Sequence, residues 1–262
     1  MGKEKLGFLL TKENCKSVLA AYPPDPLVEI NDELIGEYFD RYKKCWKTWS
    51  SKINPNTLFQ RYLHKPFEKT IPLFEITKLF RKPTLGRVEV LFVNCNPSGT
   101  DVRYYQKRNA TGDDFFYYDN PKNTYFKSVE NFYNELKLSD GNYAMIDLFP
   151  IVVKEQAGLE KAYYAYPAFF SSLLDIFVDA VVELQPKVIV VTNAFVRELF
   201  KKEMSKYFCF NENNFGVFYE IDNHRLNTAV FCGWMIAGPH QMDVESRKRL
   251  IRDIRCYLSF TA

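Results

Sequence analysis

Short apolar runs that stop abruptly at small polar residues recur along this chain. Residues 88–93 open onto the polar segment 94–101, and the next run stops at Asp147. A third run, residues 234–237, leads to His240. Because open α/β sheets bind ligands just beyond the carboxyl ends of their strands, we expect the three strand ends to line one crevice.

Helical periodicity alternates with these runs. The expected elements are helices at residues 125–138, 167–184 and 194–207, strands at 187–192, 215–221 and 228–237, and a last helix that begins at Asp243. Aspartate is a good N-cap residue. His224 falls in the turn-like tetrapeptide 222–225 between the last two strands. The alternation predicts an α/β protein, a three-layer α/β/α domain with a mostly parallel central sheet.

The first part of the chain has a different pattern. Residues 1–85 lack strong strand signals, and residues 32–51 have the apolar spacing of an amphipathic helix, with Tyr42 and Trp46 on its apolar side. We expect residues 1–85 to form a helical cap that packs on the core. Residues 86–262 are expected to form the α/β domain, and the two parts together one structural unit.

Length and composition narrow the class of protein. With 262 residues, 47% of them hydrophobic, the chain can bury a large core, which excludes a disordered protein. The apolar stretches are far shorter than the roughly 20 residues that cross a bilayer, and residues 1–5 contain no apolar signal core. We therefore expect a soluble cytoplasmic protein with no membrane partner.

Cysteine spacing and net charge exclude fewer classes of protein than length and composition do. The six cysteines contain no C-x-x-C pair, so neither a zinc site nor an iron–sulfur cluster is indicated, and we expect no metal. The formal net charge of +3 is too small to indicate nucleic-acid binding by itself, although a local concentration of charge could still matter.

The polar segment after the first strand carries the main candidate chemistry. Residues 94–101 have neither the lysine and glycine spacing of a P-loop nor a G-x-G-x-x-G pattern, which argues against nucleoside triphosphates and dinucleotides. In this segment Pro97 fixes the backbone direction, and the Asn96 amide can both donate and accept hydrogen bonds. Such a corner suits the orientation of a water molecule or a base edge. The alternative is an ordinary turn, in which these residue types are common.

Residues 92–99, Phe-Val-Asn-Cys-Asn-Pro-Ser-Gly, resemble the first catalytic motif of the uracil-DNA glycosylase superfamily, in which a strand runs into Gly-x-Asn-Pro-Gly or Gly-x-Asp-Pro. The resemblance extends in order of elements over residues 85–260. It implies a uracil-DNA glycosylase-like fold in which Asn96 holds the hydrolytic water, with Cys95 and Pro97 beside the base.

The same resemblance assigns roles to later residues. Asp147 stands where the family reads the pyrimidine edge, usually with asparagine. His240 lies in Gly-Pro-His-Gln, in the place of a His-Pro-Ser or Asn-Pro-Ser motif, and would stabilise the leaving base; the alternative is a packed or surface histidine. Phe116 would stack on the base. Residues expected to contact the nucleic acid are Ser98, Arg103 and Gln241.

The chain departs from the family pattern at three places. Asn94 replaces the usual glycine, Asp147 replaces asparagine, and the motif at His240 lacks the family's serine. The basic and aromatic residues around Arg103 could hold a phosphate backbone, but nearby aspartates also allow an ordinary solvated loop.

Three functions therefore stay open. The first is hydrolysis of the N-glycosidic bond of a deaminated or damaged, uracil-type base in DNA, a uracil-DNA glycosylase-type activity that needs no cofactor. The second is a catalytically inactive nucleic-acid or nucleobase-binding module on the same fold. The third is an unrelated flavodoxin-like domain that binds a small metabolite, because a fold does not determine a function.

Overall fold

The structure is a computed structural model. It describes scattered helical positions between residues 37 and 49, and then residues 88–96, 124–138, 142–149, 156–204, 208–210, 215–218, 220–221, 224–225, 228–237 and 241–261. The helices are α1 (Thr124–Glu135), α2 (Gln156–Ala165), α3 (Pro167–Leu184), α4 (Ala194–Glu203) and α5 (Val244–Thr261). The strands are β1 (Val88–Asn94), β2 (Asn142–Asp147), β3 (Val188–Val191), β4 (Phe208–Phe210), β5 (Phe215–Phe218), β6 (Glu220–Ile221), β7 (His224–Arg225) and β8 (Ala229–Cys232).

Six strands form one mixed sheet in the order β2-β1-β3-β8-β5-β4. The first four of that order are parallel to one another, whereas β5 and β4 continue the sheet in antiparallel pairing. The short strands β6 and β7 form a separate ribbon. The prediction of an α/β fold with a mostly parallel sheet is confirmed for these four strands.

Each face of the parallel strands packs against helices. Along β1, Leu91 and Val93 join a buried cluster with α2, α3 and α4, while Val90 and Phe92 join a second cluster with α1 and α5. Strands that are covered on both faces need continuous apolar sequence, which explains the unbroken apolar runs of β1 and β3. This arrangement is compatible with a three-layer α/β/α fold.

Helix α3 has the bounds that the sequence predicts. Pro167 occupies its first turn, where proline costs no hydrogen bond, and the helix ends at Leu184, because the C-cap Gln185 has a left-handed φ of 43°. Leu173 and Phe177 belong to the buried face. The helix therefore anchors one layer of the domain.

Two predicted helices are too long. The helix predicted at 125–138 ends at Glu135, and Lys137 just beyond it has a φ of 56°, a left-handed conformation that a helix cannot continue through. The helix predicted at 194–207 ends at Glu203. The spacing of apolar residues does not show where such a helix ends, because the end is set by the backbone conformation and not by the apolar face.

The predicted strand at 228–237 ends five residues early, at Cys232. Its neighbour β3 ends at Val191, and the last bond between them runs from the Gly233 amide to the Val191 carbonyl at 2.8 Å. Beyond this point the chain after β3 turns into α4, so β3 no longer pairs with residues 234–237. The third apolar run is therefore not a strand along its whole length.

The segment predicted as one strand at 215–221 is divided. Residues 215–218 form β5 in the main sheet, while Glu220 and Ile221 pair with His224 and Arg225 in the separate ribbon. The interpretation of His224 as a turn residue was wrong, since it lies in β7.

The described positions between residues 37 and 49 form an N-terminal helical segment that packs on α3. Tyr42 is fully buried in the cluster that contains α3, and the Trp49 ring lies 6.1 Å from that of Phe169. Arg41 forms an ion pair with Asp179. The remainder of the predicted cap lies outside the described residues.

No single helix in the described part of the chain has the length and apolar character to span a membrane. Taken together, α2 and α3 meet that criterion of length and composition, but the pair is bent by 107°.

Candidate functional site at the carboxyl edge of the sheet

The strand order creates a switch point between β1 and β3. From β1 the chain crosses to β2 on one side, and it then returns to β3 on the other side of β1. Open α/β sheets bind their ligands at the carboxyl ends of the strands on the two sides of such a point. Asn94 ends β1, and Thr192 follows β3 directly.

A row of three buried polar side chains crosses this edge. Asp147 of β2 pairs in register with Asn94 of β1, and Thr192 hydrogen-bonds to Asn94 from the other side. Their exposed fractions are 3% for Asp147, 7% for Asn94 and 3% for Thr192. By the alternation of side chains along a strand, all three lie on the face that packs against α1 and α5. We call these three residues the polar row.

The Asn94 side chain is held through its oxygen. Oδ1 accepts a hydrogen bond from the Tyr125 hydroxyl of α1 and another from Thr192 Oγ1 at 2.8 Å. The two hydroxyl oxygens lie 3.3 Å apart. Among the described residues, no hydrogen bond involves the Asn94 amide nitrogen. The amide therefore has a fixed orientation with its donor group directed away from α1 and β3.

The chain beyond β1 stays tied to the chain beyond β2. The Leu148 amide donates to the Asn94 carbonyl, and the Phe149 amide donates to the Cys95 carbonyl, both at 3.0 Å. These bonds extend the ladder past the last residues of the strands. Asn96, which is half-buried, consequently follows the chain that is tied to residues 148–149, two residues beyond the Asn94–Asp147 pair.

Cys95 lies on the opposite face of the sheet. Its side chain belongs to the apolar cluster of α2, α3 and α4. Burial raises the pKa of the Cys95 thiol well above its ordinary value, and the charges of Asp147 and Glu160 raise it further. The thiol therefore stays protonated and apolar, and the structure does not bring it to the same face as the Asp147 side chain.

Asn193 fixes the turn from β3 into α4. Its side-chain oxygen accepts from the amides of Phe195 at 2.9 Å and Val196 at 3.2 Å, as an N-cap does. Its Nδ2 donates to Gln156 of α2 at 2.9 Å. Because these contacts fix the Asn193 side chain, they also fix the turn that begins directly after Thr192.

The chain after β8 presents an exposed tryptophan at the same edge. Trp234 is 53% exposed, and the Arg197 guanidinium lies 4.7 Å from the centre of its ring. Gly233 before it is closely packed, since a Cβ there would approach Leu250 Cδ2 to 3.0 Å. Gln241 is exposed, and its backbone forms a parallel bridge with Met235.

The structure brings some of the predicted site residues together. Asp147 ends β2, and Asn96 lies two residues beyond the end of the adjacent strand β1. Gln241 lies near the end of β8 through its bridge to Met235. Cys95 lies on the opposite face of the sheet. The remaining predicted site residues lie outside the described residues: Pro97, Ser98, Arg103, Phe116 and His240.

Sequence reasoning missed three participants. Thr192 follows an apolar run just as Asp147 does, so the same signal would have found it. Tyr125 gave no signal, because a tyrosine in the first turn of an amphipathic helix is indistinguishable from a core residue. Trp234 was hidden by its assignment to a strand interior.

Within the described ranges, no group of three or more histidine, cysteine, aspartate or glutamate side chains could hold a metal ion. No protein-family model matches the chain, and a search of curated proteins finds no significant match.

Proposed function

We propose that the protein is a divergent member of the uracil-DNA glycosylase superfamily that hydrolyses the N-glycosidic bond of a deaminated or damaged base in DNA. The observation that carries the proposal is that Asn96 lies two residues beyond β1 and Asp147 at the last position of the neighbouring parallel strand β2, beside the switch point. These are the two positions to which the resembling family gives the water-holding and base-reading roles.

The proposed chemistry acts on a nucleotide that has left the base stack. Asn96 orients a water molecule below the sugar carbon, and an amide suits this because it both donates and accepts. An amide is not an effective general base, so stabilisation of the leaving base must supply much of the rate enhancement. The base departs as an anion, and a neutral imidazole N–H of His240 is a suitable donor to its carbonyl oxygen.

Asp147 has the base-reading role in this proposal. The Asp147 side chain is almost fully buried, and an ionised carboxylate accepts hydrogen bonds but donates none. A base that offers an N–H group at this point can donate to the carboxylate, whereas a base that offers only lone pairs cannot pair with it. The carboxylate thus favours bases with a ring N–H.

The test is base release from single-stranded and duplex oligonucleotides that carry uracil, hypoxanthine or other deaminated bases. We expect excision by the wild type and a loss of about 10²-fold in Asn96→Ala, because a misplaced reactant costs about this much. His240→Ala is expected to lose about 10²- to 10³-fold, as for a lost donor to developing charge. Asn134→Ala, the same change at an exposed position of α1, should leave excision unchanged.

A second function is favoured by Trp234 and Arg197. An exposed tryptophan with an arginine over its ring offers a stacking surface for an unpaired base next to a positive charge for the backbone. This surface would serve a catalytically inactive module that binds single-stranded nucleic acid equally well.

Fluorescence anisotropy with labelled single-stranded DNA tests the binding function. We expect affinity that falls with increasing salt and a weakening of about 5- to 100-fold in Trp234→Ala, the loss of one stacked base. Tyr164→Ala removes another exposed aromatic residue, which is 70% exposed on α2, and should change little. Equal binding by both variants and by the wild type would remove Trp234 from the nucleic-acid surface.

A further inference from the structure

The polar row combines a fixed donor with an adjacent acceptor. Asn94 and Asp147 occupy paired positions on neighbouring parallel strands, which lie about 4.8 Å apart, and their side chains leave the same face of the sheet. Two hydroxyl groups hold the Asn94 oxygen, so its amide nitrogen is the group that remains to donate. The Asp147 carboxylate, with two oxygens, accepts.

We infer that Asn94 is a specificity-determining residue, and that its amide and the Asp147 carboxylate together read an adjacent carbonyl and N–H on a nucleobase. The inference rests on the proposed function in that the ligand is a nucleobase. It gives a base-reading role to Asn94, which stands where the family has glycine. Two side chains, Asn94 and Asp147, then read the base edge that a single asparagine can read.

The pair distinguishes bases by the order of their donors and acceptors. Uracil and hypoxanthine both present a carbonyl oxygen beside a ring N–H, which matches the Asn94 amide and the Asp147 carboxylate. Cytosine and adenine present an amino group beside a ring nitrogen with a lone pair. In the same pose, the amino group would face the Asn94 donor and the lone pair would face the carboxylate. Deamination converts the second kind of base into the first, so the pair would separate deaminated bases from their parents.

Tyr125 and Thr192 are positioning residues in this inference. Without their hydroxyl groups, nothing described here would prevent the Asn94 amide from rotating by half a turn and presenting its oxygen. A presented oxygen would repel the base carbonyl and accept from an amino group instead. Selectivity, rather than affinity for every base, is therefore the property that these hydroxyls control.

Saturation-transfer NMR with 1-methyluracil, 9-methylhypoxanthine, 1-methylcytosine and 9-methyladenine, in which the methyl group occupies the position of the sugar, tests the inference without requiring catalysis. We expect the wild type to bind uracil and hypoxanthine at least 10-fold more tightly than cytosine and adenine, since a site built to hydrogen-bond one pattern rejects the other strongly. Asn94→Asp keeps the size of the side chain and removes the donor, so it should abolish this preference. An unchanged preference in a folded Asn94→Asp would overturn the inference.

A second variant keeps the test decisive if Asn94→Asp does not fold. Thr192→Val removes one hydroxyl that holds Asn94 and should reduce the preference for uracil over cytosine about 2- to 10-fold, the worth of one hydrogen bond. Thr228→Val is its matched control, because Thr228 is also buried but precedes β8 at the opposite edge of the sheet, where it bonds to the Pro186 carbonyl. Equal selectivity in these two variants would overturn the inference.

The same proteins separate this inference from the proposed function. Base selectivity that depends on Asn94, without release of any base from oligonucleotides, supports the inference and rejects the hydrolase. Release of bases whose relative rates are the same in wild type and Asn94→Asp supports the hydrolase and rejects the inference.

Discussion

Buried polar side chains are concentrated at one end of the sheet. Of the buried polar residues that the structure describes, Asp147, Asn94, Thr192 and Asn193 lie at the carboxyl edge, and Thr228 lies at the amino edge. Burial of a polar group costs free energy unless it is hydrogen-bonded. Hydrogen bonds offset that cost for Asn94, Thr192 and Asn193, and Asn193 also caps α4, so these three residues serve the fold itself at the carboxyl edge.

The cysteines give a prediction at the same scale. Burial raises the pKa of Cys232 to about 12 and that of Cys45 to about 11, and it raises the pKa of Cys95 as well. Because the thiolate is the nucleophile, iodoacetamide at pH 8 should leave these cysteines intact in the native protein. The urea-unfolded protein is the control and should be alkylated at each of them, as mass spectrometry would show. Equally rapid alkylation of native Cys95 would contradict its burial.

The same shifts give the direction of a pH effect. The unfolded chain releases thiol protons above about pH 8.5, whereas the native protein retains them to higher pH. The stability that these protonated thiols contribute is fully present below that pH and is lost as the pH rises from about 9 toward 12.

At the scale of elements, apolar periodicity predicted which helices and strands form better than it predicted where they end. It identified α3 and β1 because their burial is continuous, and Asp243 as an N-cap, where its carboxylate accepts from the Ser246 amide at 2.9 Å. Strand ends could not be predicted in the same way, because Cys232 ends β8 only where the partner strand β3 has already turned away. Helix α2 and strand β4 were missed, since each is short and gives a weak pattern.

The packing of the N-terminal helical segment on α3 gives a prediction about elements. Tyr42→Ala should destabilise the protein by about 3–5 kcal/mol, as expected for loss of a fully buried aromatic side chain. If this segment and the α/β domain form one unit, urea unfolding followed by circular dichroism and by tryptophan fluorescence should shift together in one transition. Tyr164→Ala, at an exposed position, is the control and should shift neither signal. A separate early transition in Tyr42→Ala would show two independent units.

At the scale of the whole molecule, the strand order determines where the chemistry lies. The sequence predicted that the strand ends at residue 94, Asp147 and His240 would line one crevice. The sheet brings Asn94 and Asp147 together with Thr192, which was not predicted, and His240 lies outside the described residues. The contribution of Tyr125 could not be predicted, because it depends on how α1 crosses the sheet. The hydrogen bonds of Asn94 depend on the same crossing. For this reason Asn94, which in the sequence only departs from the glycine of the first motif, becomes a candidate for base recognition.

The most direct test of the central claim is single-turnover release of free base from a uracil-containing oligonucleotide, detected by chromatography together with the abasic product. The proposed function predicts that the wild type releases uracil and that Asn96→Ala is slower by about 10²-fold, while Asn134→Ala is unchanged. Failure of the wild type to release uracil, hypoxanthine or any other deaminated base from single-stranded and duplex DNA would contradict it.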